Sequence, residues 1–193
     1  MDDFAFYFDL GWKHIISGDA LDHQLFILAL SSIYLVHDWK KVLILVTAFT
    51  IGHSLTLVLS TYDVIRVNSQ WVEFLIPLSI VATALLNLIR TEKHYGQYRL
   101  QYLLALVFGL VHGLGFANTI RFMLAEAQAV TMPLLSFNLG LEAGQLVVVG
   151  FILLVSYLVV NKLKLRRKWW VWGLSLIDFA VSAVICGQRW PVN

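Results

Sequence analysis

The sequence predicts an all-α membrane protein, a polytopic transmembrane helical bundle of six transmembrane helices plus an N-terminal interfacial or re-entrant helix, forming a single integral membrane domain over residues 1–193. Three observations predict it. With 59% hydrophobic residues and a mean hydropathy of +0.76, the chain has too little polar surface to cover a soluble globule. Charged residues make up 13% of the chain and fall in short clusters between apolar runs, as loops between spans do. The runs themselves approach the roughly 20 residues that a helix needs to cross the hydrocarbon core.

Taken in chain order, residues 4–17 (FAFYFDLGWKHIIS) are too short to cross and rich in aromatics, which suits an interfacial or re-entrant helix. The six spans are expected at about 20–37, 41–61, 71–90, 100–118, 133–160 and 169–187. Residues 119–132 (TIRFMLAEAQAVTM) have an amphipathic pattern and are expected to play a role like that of the N-terminal helix. No soluble domain, low-complexity tract or strong internal repeat is visible.

The basic residues orient the bundle. Lys40, Lys41, Arg90, Lys93, Arg99, Lys162, Lys164, Arg166, Arg167 and Lys168 fall on one side, against Lys13, Arg66, Arg121 and Arg189 on the other. The richer side is expected in the cytoplasm, with both termini outward, in a bacterial inner (plasma) membrane. Trp39, Trp169 and Trp170 would then mark the inner interface, and Trp12, Trp71 and Trp190 the outer one.

The same composition excludes several classes. One cysteine, Cys186, allows neither an internal disulfide nor a Cys-rich metal site within the chain. A net charge of +2, scattered along the chain, does not suit nucleic acid. The partners expected are the lipid bilayer and a metal ion; the residues do not settle whether the chain forms a homo-oligomer or serves an accessory system.

Ionisable groups inside spans are costly, so each asks for a partner or a job. Asp22 and His23 open the first span, His53 lies in the second, His112 in the fourth, Glu142 in the fifth and Asp178 in the sixth, with His14 just ahead of the first. Counted from the outer helix ends at about 1.5 Å per residue, His23, His53, His112 and Glu142 fall within roughly 5 to 14 Å of the outer boundary. Four helices thus bring imidazole and carboxylate to one shallow layer. Thr47, Thr50 and His53 recur every three residues, and Asn138, Glu142 and Gln145 at four and three, which assigns each set to one inward face. Gly109 and Gly113, and Gly140 and Gly144, form small-xxx-small pairs for close helix approach.

Imidazole and carboxylate donors without thiolate suit nickel or zinc, and equally cobalt or iron(II). The metal ligands expected are His14, Asp22, His23, His53, His112 and Glu142, with Asn138, Gln145 and Asp178 as supporting positions. Asp22 either caps the first helix or joins the ion, and Asp178 either faces the site or balances a polar neighbour. His37 and His94 read as solvated interfacial histidines and are left out of the set.

The stretches GWKHIISG, DHQLF, TAFTIGHSLTL, FGLVHGLGFA and FNLGLEAGQL, in this order over residues 11–150, resemble the HupE/UreJ family of membrane proteins. That family is associated with hydrogenase and urease accessory functions, and its members look like nickel permeases. The resemblance implies nickel and implicates His14, Asp22, His23, His53, His112, Asn138, Glu142 and Gln145, although HIISGDALDH is two residues longer than the compact His-to-Asp-His form of many relatives.

Three functions follow. The leading one is capture and membrane transport of a divalent ion from the outer side, with Ser79, Thr83 and Asn87 on the third span as the inward path. An intramembrane zinc hydrolase would use the same ligands with Glu142 as catalytic general base, against which stands the absence of an HExxH motif. In a non-transporting accessory subunit the buried polar groups would serve only helix orientation.

Overall fold

The computed structural model describes residues 3–90, 99–123 and 130–191, and every described element is helical. In chain order these are α1 (Asp3–Ile16), α2 (Leu21–Ser31), a 3-10 turn (Val36–Asp38), α3 (Trp39–Thr61), α4 (Ser69–Ile89), α5 (Arg99–Met123), α6 (Thr131–Ser156) running into a π-turn (Tyr157–Lys162), and α7 (Arg167–Gln188). Five stretches are long and apolar enough to cross a membrane: Val36–Thr61, Ser69–Ile89, Arg99–Ala117, Thr131–Lys162 and Arg167–Gln188. They match the second to sixth predicted spans to within a few residues.

The first predicted span, 20–37, needs correction. Its helix, α2, is 11 residues long, about 16 Å at 1.5 Å per residue, half of a hydrocarbon core of roughly 30 Å. The end has a local cause. Ser31 Oγ donates to the Ile27 carbonyl at 2.5 Å and Ser32 Oγ to that of Ala29 at 3.1 Å, and such back-bonding serines compete with helix continuation. Leu35 is then extended, at φ −115° and ψ 167°, before the 3-10 turn leads into α3.

The N-terminal segment, expected as an interfacial or re-entrant helix, packs against the bundle. A Cβ at Gly11 would fall on the carbonyl oxygen of Phe137, one at Gly140 on that of Phe8, and one at Gly144 against Ile15 and Trp12. Helices α1 and α6 therefore run parallel with backbones in contact, as small residues permit in lipid. Further along α6, Ile16, Gln24 and Leu28 share a groove with Val147, Val148, Phe151 and Ile152. Thus α1 and α2 succeed one another along a single neighbour.

Where α1 stops, its carbonyls would be left without donors. Gln24, in the second turn of α2, supplies them: its Nε2 donates to the carbonyls of Ile15, Ile16 and Ser17 at 3.1, 3.3 and 3.0 Å. A helix can break inside an apolar bundle when another element satisfies the freed groups in this way.

Helices α3 and α5 repeat the parallel glycine contact. A Cβ at Gly52 would strike the Leu106 carbonyl oxygen, and one at Gly109 that of Phe49. In both pairs each glycine meets the carbonyl three residues before the other's glycine. For α1 and α6 the local sequences are alike, FDLG at 8–11 and FNLG at 137–140, a short repeat not recognised above.

Helix α5 continues to Met123 and α6 begins at Thr131, so the two ends of the amphipathic stretch expected at 119–132 belong to flanking helices, and residues 124–129 lie outside the described residues. His94, expected at an interface, lies outside them too. At the α3–α4 turn, the hydrogen bond from Arg66 to Asp63 holds that carboxyl below the usual carboxylate range.

Candidate metal centre

Four helices converge where α1 breaks. The last turn of α1 carries His14, the first turn of α2 carries His23, and the parallel pair α3 and α5 carry His53 and His112. His14, His23 and His53 each offer one ring nitrogen, and these three atoms all lie within 4.8 Å of one another. His112 stands beside them, its ring centroid 4.8 Å from that of His23.

Hydrogen bonding sharpens the arrangement. His14 Nε2, His23 Nε2, both nitrogens of His53 and His112 Nε2 are buried with no hydrogen-bond partner among the described residues. Such groups are rare because each forfeits its hydration without replacement. The Nδ1 of His112 is 2.9 Å from the Phe108 carbonyl one turn back, so in the neutral ring it carries the proton and leaves the Nε2 lone pair available. A second nitrogen held this way is common in metal-bound histidines.

Aromatic rings wall the group. Phe116 lies 4.2 Å from His14 between centroids, Phe116 and Phe137 stack at 5.1 Å, and Phe49 lies 5.9 Å from His53 and 5.3 Å from His112. Phe49 and Phe108 each stand four residues before a ligand-type histidine. This i,i+4 spacing places ring above ring on one helix face and was the available signal for the wall. Apolar walls strengthen any charge interaction inside them.

On one side the histidines open into a cavity of about 280 Å³, lined by His14, His23 and His112 together with Asp19, Asp22, Glu73 and Arg189. His53 lies behind it, with no exposed surface. Asp22 Oδ2 accepts from Arg189 Nη1 at 2.6 Å, while Asp22 Oδ1 has no partner among the described residues. Glu73, Asp19 and Arg189 were not foreseen here, because apolar helix ends and loops carry no periodicity that would direct them to one mouth.

The remaining expected residues stand elsewhere. Glu142 Oε1 accepts from Thr47 Oγ1 at 2.8 Å and is not part of the three-histidine group. Gln145 Oε1 accepts from Thr50 Oγ1 at 3.0 Å, tying the same two helices deeper in the bundle. Asn138 Nδ2 donates to the Leu134 carbonyl at 2.8 Å, and its Oδ1 is buried and unpartnered. Asp178 is fully buried on α7 and does not line the cavity. His37 is exposed beside Asp38.

A comparison with protein families matches residues 1–188 to the HupE / UreJ protein model. The chain belongs to the HupE/UreJ family. The match takes in all five crossing-length helices and all four converging histidines of this HupE/UreJ protein. No curated protein and no solved structure matches the chain.

Proposed function

We propose that this HupE/UreJ protein binds a divalent transition-metal ion, with nickel favoured by the family, in the imidazole group of His14, His23, His53 and His112, and passes it across the membrane. The observation that carries this reading is the convergence of buried, unpartnered ring nitrogens from four helices. Neutral imidazoles without thiolate suit nickel and zinc, and also cobalt or iron(II). Three or four nitrogen ligands in an aromatic wall would hold the cation, and Asp22 would add a carboxylate oxygen from the cavity side.

The architecture supports a route. In this reading α1 and α2 together make the sixth pass as one broken helix, with the ligands at the break, as in other carriers whose sites sit at interrupted helices. Asp19, Asp22 and Glu73 draw cations into the mouth, which faces outward with both termini. Glu142 and Gln145 support the α3–α6 contact beside the site through Thr47 and Thr50, while Asn138 bonds back to Leu134 of its own helix. A hydrolase would need Glu142 next to the ion as general base, and its hydrogen bond to Thr47 gives that reading no support.

Elemental analysis of purified protein equilibrated with nickel, zinc and cobalt tests the proposal, comparing wild type with His53→Ala and Glu142→Ala. Near-stoichiometric metal in wild type and Glu142→Ala, lost in His53→Ala, is the expected result. Wild type without metal would overturn it.

A further inference from the structure

Asp178 is the buried acid that the imidazole site does not use. It has no exposed surface, and neither carboxyl oxygen has a hydrogen-bond partner among the described residues. On the same face of α7, Ser175 and Ser182 are equally buried, and their hydroxyls are equally unpartnered. Helix α7 packs chiefly on α4, which buries Ser79, Thr83 and Asn87, and also on α2, whose Ala29 carbonyl and Ser32 hydroxyl take the Asn87 amide at 2.7 and 3.3 Å. The interior shared by α2, α4 and α7 is therefore a polar strip within an apolar bundle.

Among the described residues no counter-charge reaches the acid. The charged or titratable groups on the elements packed against α7 are Glu73 of α4, Asp22 and His23 of α2, and Tyr157 and Lys162 of the π-turn. On α7 itself they are Arg167, Lys168 and Cys186, with Arg189 just beyond. Asp22 and Arg189 hold each other, Glu73 and His23 line the cavity, Lys162 lies over Tyr157 and Lys168 over Trp172, and Arg167 donates to the Ile33 carbonyl. Polar residues that only glue helices together are bonded across the interface, and these are not. A carboxylate left bare in such a place is strongly unfavourable, whereas a neutral acid is tolerated.

We propose that Asp178 is a proton-binding site in the bundle interior, loaded in the empty protein and unloaded when a divalent ion arrives. The unloading half rests on the metal reading above. As two positive charges reach the imidazole group, of which His23 belongs to α2, the carboxyl releases its proton to water and stands as counter-charge. It takes a proton back when the ion has left, so ion movement one way is linked to proton movement the other way.

Infrared difference spectra of the metal-free protein, wild type against Asp178→Asn and Asp178→Glu, test the loaded state. A protonated-acid carbonyl band in wild type that is absent from Asp178→Asn and present, shifted, in Asp178→Glu is expected. No such band would overturn the proposal. Addition of nickel, with bound metal measured on the same samples, should abolish the wild-type band while Asp178→Asn still binds nickel at the imidazoles. A band that persists although nickel is bound overturns the exchange, and loss of nickel binding in a folded Asp178→Asn makes Asp178 a metal ligand instead. If wild type binds no nickel, the metal reading fails and the exchange with it, while the spectrum of the empty protein still decides the proton site.

Discussion

Arg189 Nη1 donates to Asp22 Oδ2 at 2.6 Å, joining the end of α7 to the first turn of α2 across 167 positions of sequence. The pair sits in the wall of the cavity that leads to His14, His23 and His112. A guanidinium there occupies the carboxylate that an incoming cation would otherwise meet, while the second oxygen, Asp22 Oδ1, stays free. In the proposed reading Arg189 competes with the ion for Asp22.

Arg189→Gln should therefore tighten divalent-ion binding several-fold, with a stability change within about 1 kcal/mol because the pair is partly exposed and screened. Calorimetric titration with nickel at two salt concentrations checks it. Weaker binding would show that Arg189 instead holds Asp22 in the orientation the ion needs.

His53 has no exposed surface and no partner on either ring nitrogen. His53→Ala is expected to lower metal affinity by more than the roughly 10- to 100-fold typical of losing an outer partner of a ligand. His37→Ala, at an exposed histidine beside Asp38, should leave affinity unchanged. Equal losses in the two variants would place the ion outside the imidazole group.

Much of this was legible in the residue pattern, for reasons that also mark where reading stops. Apolar length alone located α3 to α7, because a span must be both long and uninterrupted. Counting residues from helix ends brought His53 and His112 to one level, but height says nothing about direction around the axis. Glu142 shares the level and faces Thr47. Thr47 and His53, six residues apart, differ by about 240° on a helix of 3.6 residues per turn, so the first is exposed and the second buried. The break between α1 and α2 was invisible to composition, since it depends on Gln24 reaching three carbonyls of another helix.

Gly140 tests the parallel contact that holds α1 in the bundle. A Cβ there meets the Phe8 carbonyl oxygen, which is backbone and cannot rotate away. Gly140→Ala should destabilise the protein by about 1–3 kcal/mol through overpacking and weaken metal binding by shifting His14. Gly150→Ala and Gly173→Ala add a methyl where nothing lies within 4 Å, and better helix propensity should leave them neutral or slightly more stable. Thermal unfolding of the three variants distinguishes these outcomes; a neutral Gly140→Ala would mean that α1 does not pack this way.

Gln24 separates a structural role at the break from a role in the ion site. Its amide donates to Ile15, Ile16 and Ser17 from a part-buried position, and His14 precedes those carbonyls by one to three residues. Gln24→Leu leaves acceptors without a donor, a loss of about 1–3 kcal/mol for buried groups. Gln24→Glu keeps the shape but sets a carboxyl against the carbonyls, so an ionised Glu should cost at least as much. Both should lower the unfolding temperature and the metal affinity together, because a displaced α1 end carries His14 with it. If Gln24→Glu instead bound metal more tightly at unchanged stability, residue 24 would be contributing to the ion site, and the break between α1 and α2 would need another cap.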